Sequence, residues 1–219
     1  MKKWSVLMCL LFIMFIAAGC SSPFSSDRGI PEEVHITADN IPEEPSKAEI
    51  IDKIKNNSSN EIDDIIEANF SLMDVVSVDS NKAEIYATRR FELSELSSVL
   101  SDTIEPEKVS EVIDNQQILV YPDYFVTLKI SPDDNDALII EVAGDEFVRR
   151  NYAPSFLQTY FAYRLLDSFL GVNDWGRRRS RECGSGNCYG GYTGKGYYPN
   201  GTPSRGNTSF RGGGPGAGK

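Results

Sequence analysis

The chain has 219 residues, a formal net charge of −10 at pH 7 and a single histidine, and its charge is split. Residues 171–219 hold eight Lys or Arg against Asp174 and Glu182, Lys2 and Lys3 add two positive charges, and residues 21–170 carry −18. This length accommodates one ordinary domain with flanks, and so acidic a body argues against nucleic acid as a partner.

The first stretch, MKKWSVLMCLLFIMFIAAGCSS, opens on two lysines and continues with an apolar run from Val6 to Ala18. That run is shorter than the roughly 20 apolar residues a bilayer-spanning helix needs, and small residues close it, which is the layout of a secretory signal. Ala17-Ala18-Gly19-Cys20 looks like a bacterial lipobox, with Ala17 standing where Leu is more usual. The expectation is a signal peptide over residues 1–19, diacylglycerol on Cys20 and further acylation of the palmitate type. Two buried acyl chains suffice for stable attachment. Cell membrane, extracytoplasmic face, is therefore the expected location, and Ser21 fits surface retention. Cys9 would leave with the signal.

Residues 20–45 read as the lipidated cysteine and a flexible tether, punctuated by Pro23, Pro31, Pro42 and Pro45 and containing His35, which is expected to be solvated. A globular domain is expected over 46–171. Ser46 and Glu49 form an S-x-x-E capping box, and Ile50, Ile51 and Ile54 line one helical face. Ile62, Ile65, Ile66 and Phe70 repeat that spacing. From Leu72 the period becomes two, and LMDVVSVD and KAEIYATRR form a hairpin about Asp79-Ser80-Asn81. Leu93, Leu96, Val99 and Leu100 predict another helix, and Pro106 opens a short one bearing Val109, Val112 and Ile113.

Four strand-like runs follow: QQILVY, YFVTLKI, ALIIEVA and EFVRRNY. Pro122-Asp123, residues 132–136 and Gly144-Asp145 separate them, although Pro122 also fits a bulge in one long strand. Pro154 starts a last helix, SFLQTYFAYRLLDSFL, closed by Gly171. This order predicts a single α+β domain, an antiparallel β-sheet packed by helices. Residues 172–219, with Arg177, Arg178, Arg179, Arg181 and thirteen glycines from Gly184 on, are expected to be a disordered basic Gly/Tyr-rich tail, since few apolar residues offset the entropy of ordering.

No catalytic signature stands in adequate context. The body has no histidine for a general base or triad. Asp133, Asp134 and Asp136 miss calcium-loop spacing and read as turn residues. Cys183 and Cys188 are too few ligands for zinc and predict a small-loop disulfide, with free or intermolecular thiols as the alternative. No metal and no cofactor are expected. The four arginines are either solvated or in contact with a polyanion such as headgroups or an envelope polymer.

At VRRNYAPSFLQTYFAYRLLDSF, and again in the Gly/Tyr/Cys tail, the chain resembles the Gram-positive lipoproteins grouped as domain of unknown function 4247, over about residues 48–195. That resemblance carries no catalytic residues across. It implies an accessory role at the cell surface. The sequence thus points to a membrane-anchored extracytoplasmic lipoprotein, a non-enzymatic accessory or sensing component of a cell-envelope complex. The rivals are a binding module for an envelope ligand or polyanion and a carboxylate-dependent hydrolase.

Overall fold

The structure is a computed structural model that describes residues 35–78, 80–185 and 188–192. The expected signal peptide, Cys20, residues 21–34, Asp79 and residues 193–219 lie outside the described residues. Among the described residues, seven α-helices surround one six-stranded antiparallel sheet.

Two helices open the domain, α1 (Lys47–Lys55) and α2 (Ile62–Asn69). The Ser46–Glu49 capping box forms as expected: Ser46 N–H donates to Glu49 Oε2 at 2.9 Å and Glu49 N–H to Ser46 Oγ at 3.4 Å. Strands β1 (Ser71–Val78) and β2 (Asn81–Thr88) make the hairpin, bulged between Leu72 and Asp74. Helix α3 (Leu93–Thr103) leads to β3 (Lys108–Val109), β4 (Gln116–Val120), β5 (Tyr124–Ile130) and β6 (Leu138–Gly144). The sheet order is β1-β2-β6-β5-β4-β3.

Helices cover both faces. Ile50, Ile54, Ile65, Ile66, Leu96 and Leu100 from α1–α3 pack on the face formed by Tyr86, Leu119, Val126, Leu128, Ile140 and Val142. The other face presents Ile85, Ile118, Phe125, Ile139 and Ala143 to Ile36, Ile41 and the C-terminal third of the chain. Strands buried on both sides read as unbroken apolar runs, which is why β4–β6 lack alternation.

Several elements differ from the sequence expectation. EFVRRNY is a helix, α4 (Asp145–Asn151), because Gly144 turns the chain off the sheet into an N-cap and Phe147 and Val148 then face the core at helical spacing. The stretch after Pro106 forms β3 and a bridge from Ile113 to Gln116, since zipping onto β4 satisfies its backbone. Asp114 and Asn115 take positive φ at that turn, which Asp and Asn tolerate. Pro122-Asp123 is a turn, as expected, and not the alternative bulge, with Tyr121 N–H donating to the Tyr124 carbonyl at 2.8 Å. The long C-terminal helix is two, α5 (Pro154–Tyr160) and α6 (Tyr163–Phe169), broken at Phe161, whose extended backbone lets its ring enter the core at 3% exposure. Gly171, at φ +60°, closes α6 as expected, with Val172 N–H reaching the Asp167 carbonyl at 3.1 Å.

Both domain boundaries move outward. Residues 35–45 pack rather than tether: Ile36 and Ile41 are buried, Ser131 Oγ donates to the Ile36 carbonyl at 2.6 Å, and Ala38 N–H donates to Asp134 at 2.8 Å. His35 is exposed, as expected, with its Nδ1 3.2 Å from Asp133. The 132–136 acidic turn therefore fastens this segment.

The larger correction is at the other end. Residues 172–192, expected to be disordered, contain α7 (Trp175–Glu182) and a strap, residues 188–192. Few apolar residues suffice there because each is large and lands in a prepared place: Trp175 and Tyr189 are each 3% exposed.

Candidate functional site

Helix α7 carries the arginines singled out in the sequence, and its own ends explain its position. The Asp167 carboxylate accepts from Asp174 N–H at 3.2 Å and from Trp175 N–H at 3.0 Å, serving donors that the helix start leaves free. Trp175 Nε1 donates to the Arg149 carbonyl at 2.8 Å, docking α7 against the end of α4. Gly176 sits so close to Tyr163 that a Cβ there would lie 2.2 Å from the ring.

This docking opens a cleft of about 460 Å³ lined by Arg149, Arg150, Arg178, Arg179, Trp175 and Glu182. Arg178 and Arg179 thus meet two arginines from α4, whereas Arg177 pairs outward with Asp174 at 3.2 Å and Arg181 is exposed. Arg179 is tied down, with Nε donating to the Tyr152 carbonyl at 3.3 Å and Nη1 lying 2.8 Å from Glu182. Arg150 pairs with Glu146 at 2.8 Å and Arg149 more loosely with Asp145 at 3.9 Å. Across α4 and α7, six arginines face Asp145, Glu146, Asp174 and Glu182, a surplus of two positive charges on an otherwise acidic body. Such a cleft attracts anions.

Tyr152, whose carbonyl accepts from Arg179, connects the cleft to a buried polar group that the sequence pattern did not single out. Glu141, in the middle of β6, is 2% exposed. Its Oε1 accepts from the Tyr152 hydroxyl at 2.7 Å and its Oε2 from Tyr192 N–H at 3.1 Å. Burial pushes its pKa up, against the lowering effect of those hydrogen bonds and of Lys129. Tyr152 and Tyr189 are raised well above the usual tyrosine range, first by burial and then by Glu141, so they remain donors. The Tyr189 hydroxyl influences the same carboxyl without meeting hydrogen-bond geometry. Burial lowers the pKa of Lys129, partly offset by Glu141. Gln116, Thr127, Lys129, Glu141 and Tyr192 enclose about 10 Å³, room for one water. The signal in the sequence was a lone glutamate inside the apolar run ALIIEVA, at a position facing the core.

Cys183 and Cys188 are joined in the structure as a disulfide with a Cα–Cα separation of 5.3 Å. A wider cleft, about 780 Å³, lies elsewhere, lined by Lys47, Arg89, Arg90, Phe91, Val112 and Leu138 among others. All three of its cations are engaged, Lys47 by Glu95 at 2.7 Å, Arg89 by Glu44 at 3.9 Å and Arg90 by the Glu44 carbonyl at 2.8 Å. The α4–α7 cleft, by contrast, adds to its paired arginines Arg178, whose side chain has no ion pair among the described residues. Among the described residues no group of three His, Cys, Asp or Glu is placed to hold a metal. Among them also, no helix is long and apolar enough to cross a membrane.

Fold and cleft together define an α+β domain, layered helix–sheet–helix, with a basic groove built by α7 against α4. The chain belongs to the family described as Domain of unknown function (DUF4247), whose model matches residues 50–219. Comparison with curated proteins and with solved structures gave no match.

Proposed function

We propose that this protein is a lipid-anchored extracytoplasmic component of the cell envelope, without enzymatic activity of its own, that engages an anionic group through the α4–α7 cleft. The observation that carries this reading is the convergence of Arg149, Arg150, Arg178 and Arg179 on one groove of a chain whose body is acidic. The signal-like N-terminus and Cys20 support the anchor. An anchored protein meets phospholipid headgroups and anionic wall polymer at short range, and each basic residue near such a surface contributes about 1 kcal/mol. Burial of Glu141 beneath the strap supports a binding role over hydrolysis by this carboxyl, because at 2% exposure and beside a cavity of about 10 Å³ it has no room for a substrate.

The test is flotation of the protein with phosphatidylglycerol vesicles and with phosphatidylcholine vesicles at low salt. Arg178→Gln combined with Arg150→Gln is expected to reduce binding to the anionic vesicles about tenfold, with little change in melting temperature. Equal binding by variant and parent would remove the cleft from the reading. The anchor is tested separately: Cys20→Ser is expected to abolish labelling by a fatty-acid probe.

A further inference from the structure

The five residues from Cys188 to Tyr192 do a disproportionate share of the closing of one sheet face. Tyr189 N–H donates to the Asn151 carbonyl at 2.8 Å, and Ala153 N–H donates back to the Tyr189 carbonyl at 2.7 Å, a short parallel bridge. The Tyr189 ring stands edge-on to Phe147 and Tyr152, with centroids 5.5 and 5.1 Å away. Gly191, at φ +84°, passes so near Phe156 that a Cβ there would lie 3.0 Å from its ring. Tyr192 then spans the polar row, its N–H on Glu141 and its hydroxyl on Asp74 at 2.9 Å. Below it the Gln116 side chain is 4% exposed and its Nε2 has no hydrogen-bond partner among the described residues.

The strap adds no strand to the sheet: ring contacts of Tyr189, two backbone hydrogen bonds and the Tyr192 contacts with Glu141 and Asp74 hold it on the outside of the fold. The disulfide closes the chain between α7 and the strap across a sequence separation of five, with residues 186 and 187 outside the described residues. Cys183 is half-buried and Cys188 is buried.

We propose that the Cys183–Cys188 disulfide is a redox-active fastening: a dithiol reductant attacks it and frees the strap, uncovering the Glu141–Lys129–Gln116 polar floor while the rest of the domain stays folded. The reductant's thiolate attacks Cys183 Sγ, a mixed disulfide forms there, and Cys188 leaves as the thiolate and takes up a proton. The reductant's second thiol then displaces Cys183 Sγ. Two electrons and two protons pass to the protein, and the reductant becomes a disulfide. Small cooperative units at a fold's margin open independently of the core, and losing a short covalent loop raises the population of the open form. This inference is independent of lipid anchoring and of the arginine cleft.

The experiment is hydrogen exchange with mass spectrometry on the full chain, oxidised and after dithiothreitol, with alkylation to count free thiols. Reduction is expected to yield two alkylated cysteines and to speed exchange in peptides covering 188–192 by about tenfold or more. Peptides from β5 and β6 are expected to stay protected. The double variant Cys183→Ser, Cys188→Ser is expected to show the fast strap without reductant and no response to it. Three results would each overturn the inference: a disulfide that resists excess dithiothreitol, a reduced protein with unchanged strap exchange, or loss of protection throughout β4–β6. The last would mean that the bond holds the whole fold.

Discussion

The two faces of the sheet are closed in different ways. On the α1–α3 face, segments close together in sequence supply mostly aliphatic side chains. On the other face the cover comes from both ends of the described chain, is rich in aromatic rings, and shelters the carboxyl of Glu141. A face built from local aliphatic helices is a core and little else. One that tolerates a buried carboxyl, held by tyrosines and a late-arriving strap, spends stability on a polar arrangement. The arginine cleft is built on that second face.

The comparison is broken most severely by ending the chain after Gly171. This removes Trp175 and Tyr189 and opens the Glu141 face while leaving α1–α3 intact. Burying two aromatic side chains of this size is worth about 3–5 kcal/mol each, a large part of a domain's usual 5–15 kcal/mol. The truncated protein is expected to lose its cooperative thermal transition, and a melt unchanged from the parent would show that the C-terminal segment is dispensable. On the opposite face, Leu96→Ala at a fully buried site should cost about 2–5 kcal/mol by urea titration and leave the exchange of the strap unaltered.

Tyr152→Phe sharpens the contrast at smaller cost. It removes the 2.7 Å donor to Glu141 and changes little else in shape, so the expected loss is about 1–3 kcal/mol, the penalty for an undersatisfied buried polar group. A cost near zero would mean that a water takes over the hydrogen bond.

The smallest effect is a slope with pH. Glu141 has a raised pKa when folded, so its contribution is fully present below the unfolded value of about 4.3 and is lost as pH rises through the folded value. Glu49, Glu95 and Asp134 act in the opposite sense: hydrogen bonds from Ser46, Lys47 and Ala38 respectively lower them, and their contributions fade as pH falls through their folded values. Glu141→Gln is expected to match the parent near pH 4 and to be the more stable of the two at pH 8, as read from urea midpoints. The same change in both proteins across that range would mean that Glu141 does not titrate there.

Much of the architecture was legible because local rules and tertiary demands agreed. Period-two alternation marked the β1–β2 hairpin, the Ser46–Glu49 box marked the start of α1, and Gly171 marked the end of α6, each determined by interactions within a few residues. In 145–151 and 107–113 the local signal was ambiguous, and contact with distant segments decided it: the core took Phe147 and Val148 as a helical face, while β4 took Lys108 and Val109 as a strand. The four α7 arginines were visible as a charge cluster, but their meeting with Arg149 and Arg150 was not, because it depends on Trp175 reaching the Arg149 carbonyl across 26 residues. Likewise, composition marked residues 172–192 as too glycine-rich and polar to order alone, and alone they have no core of their own. What composition cannot show is a place already prepared elsewhere. Phe147, Tyr152 and Glu141 provide it only once β6, α4 and α5 are assembled, and the ordering of the strap is then offset by contacts that no local segment contains.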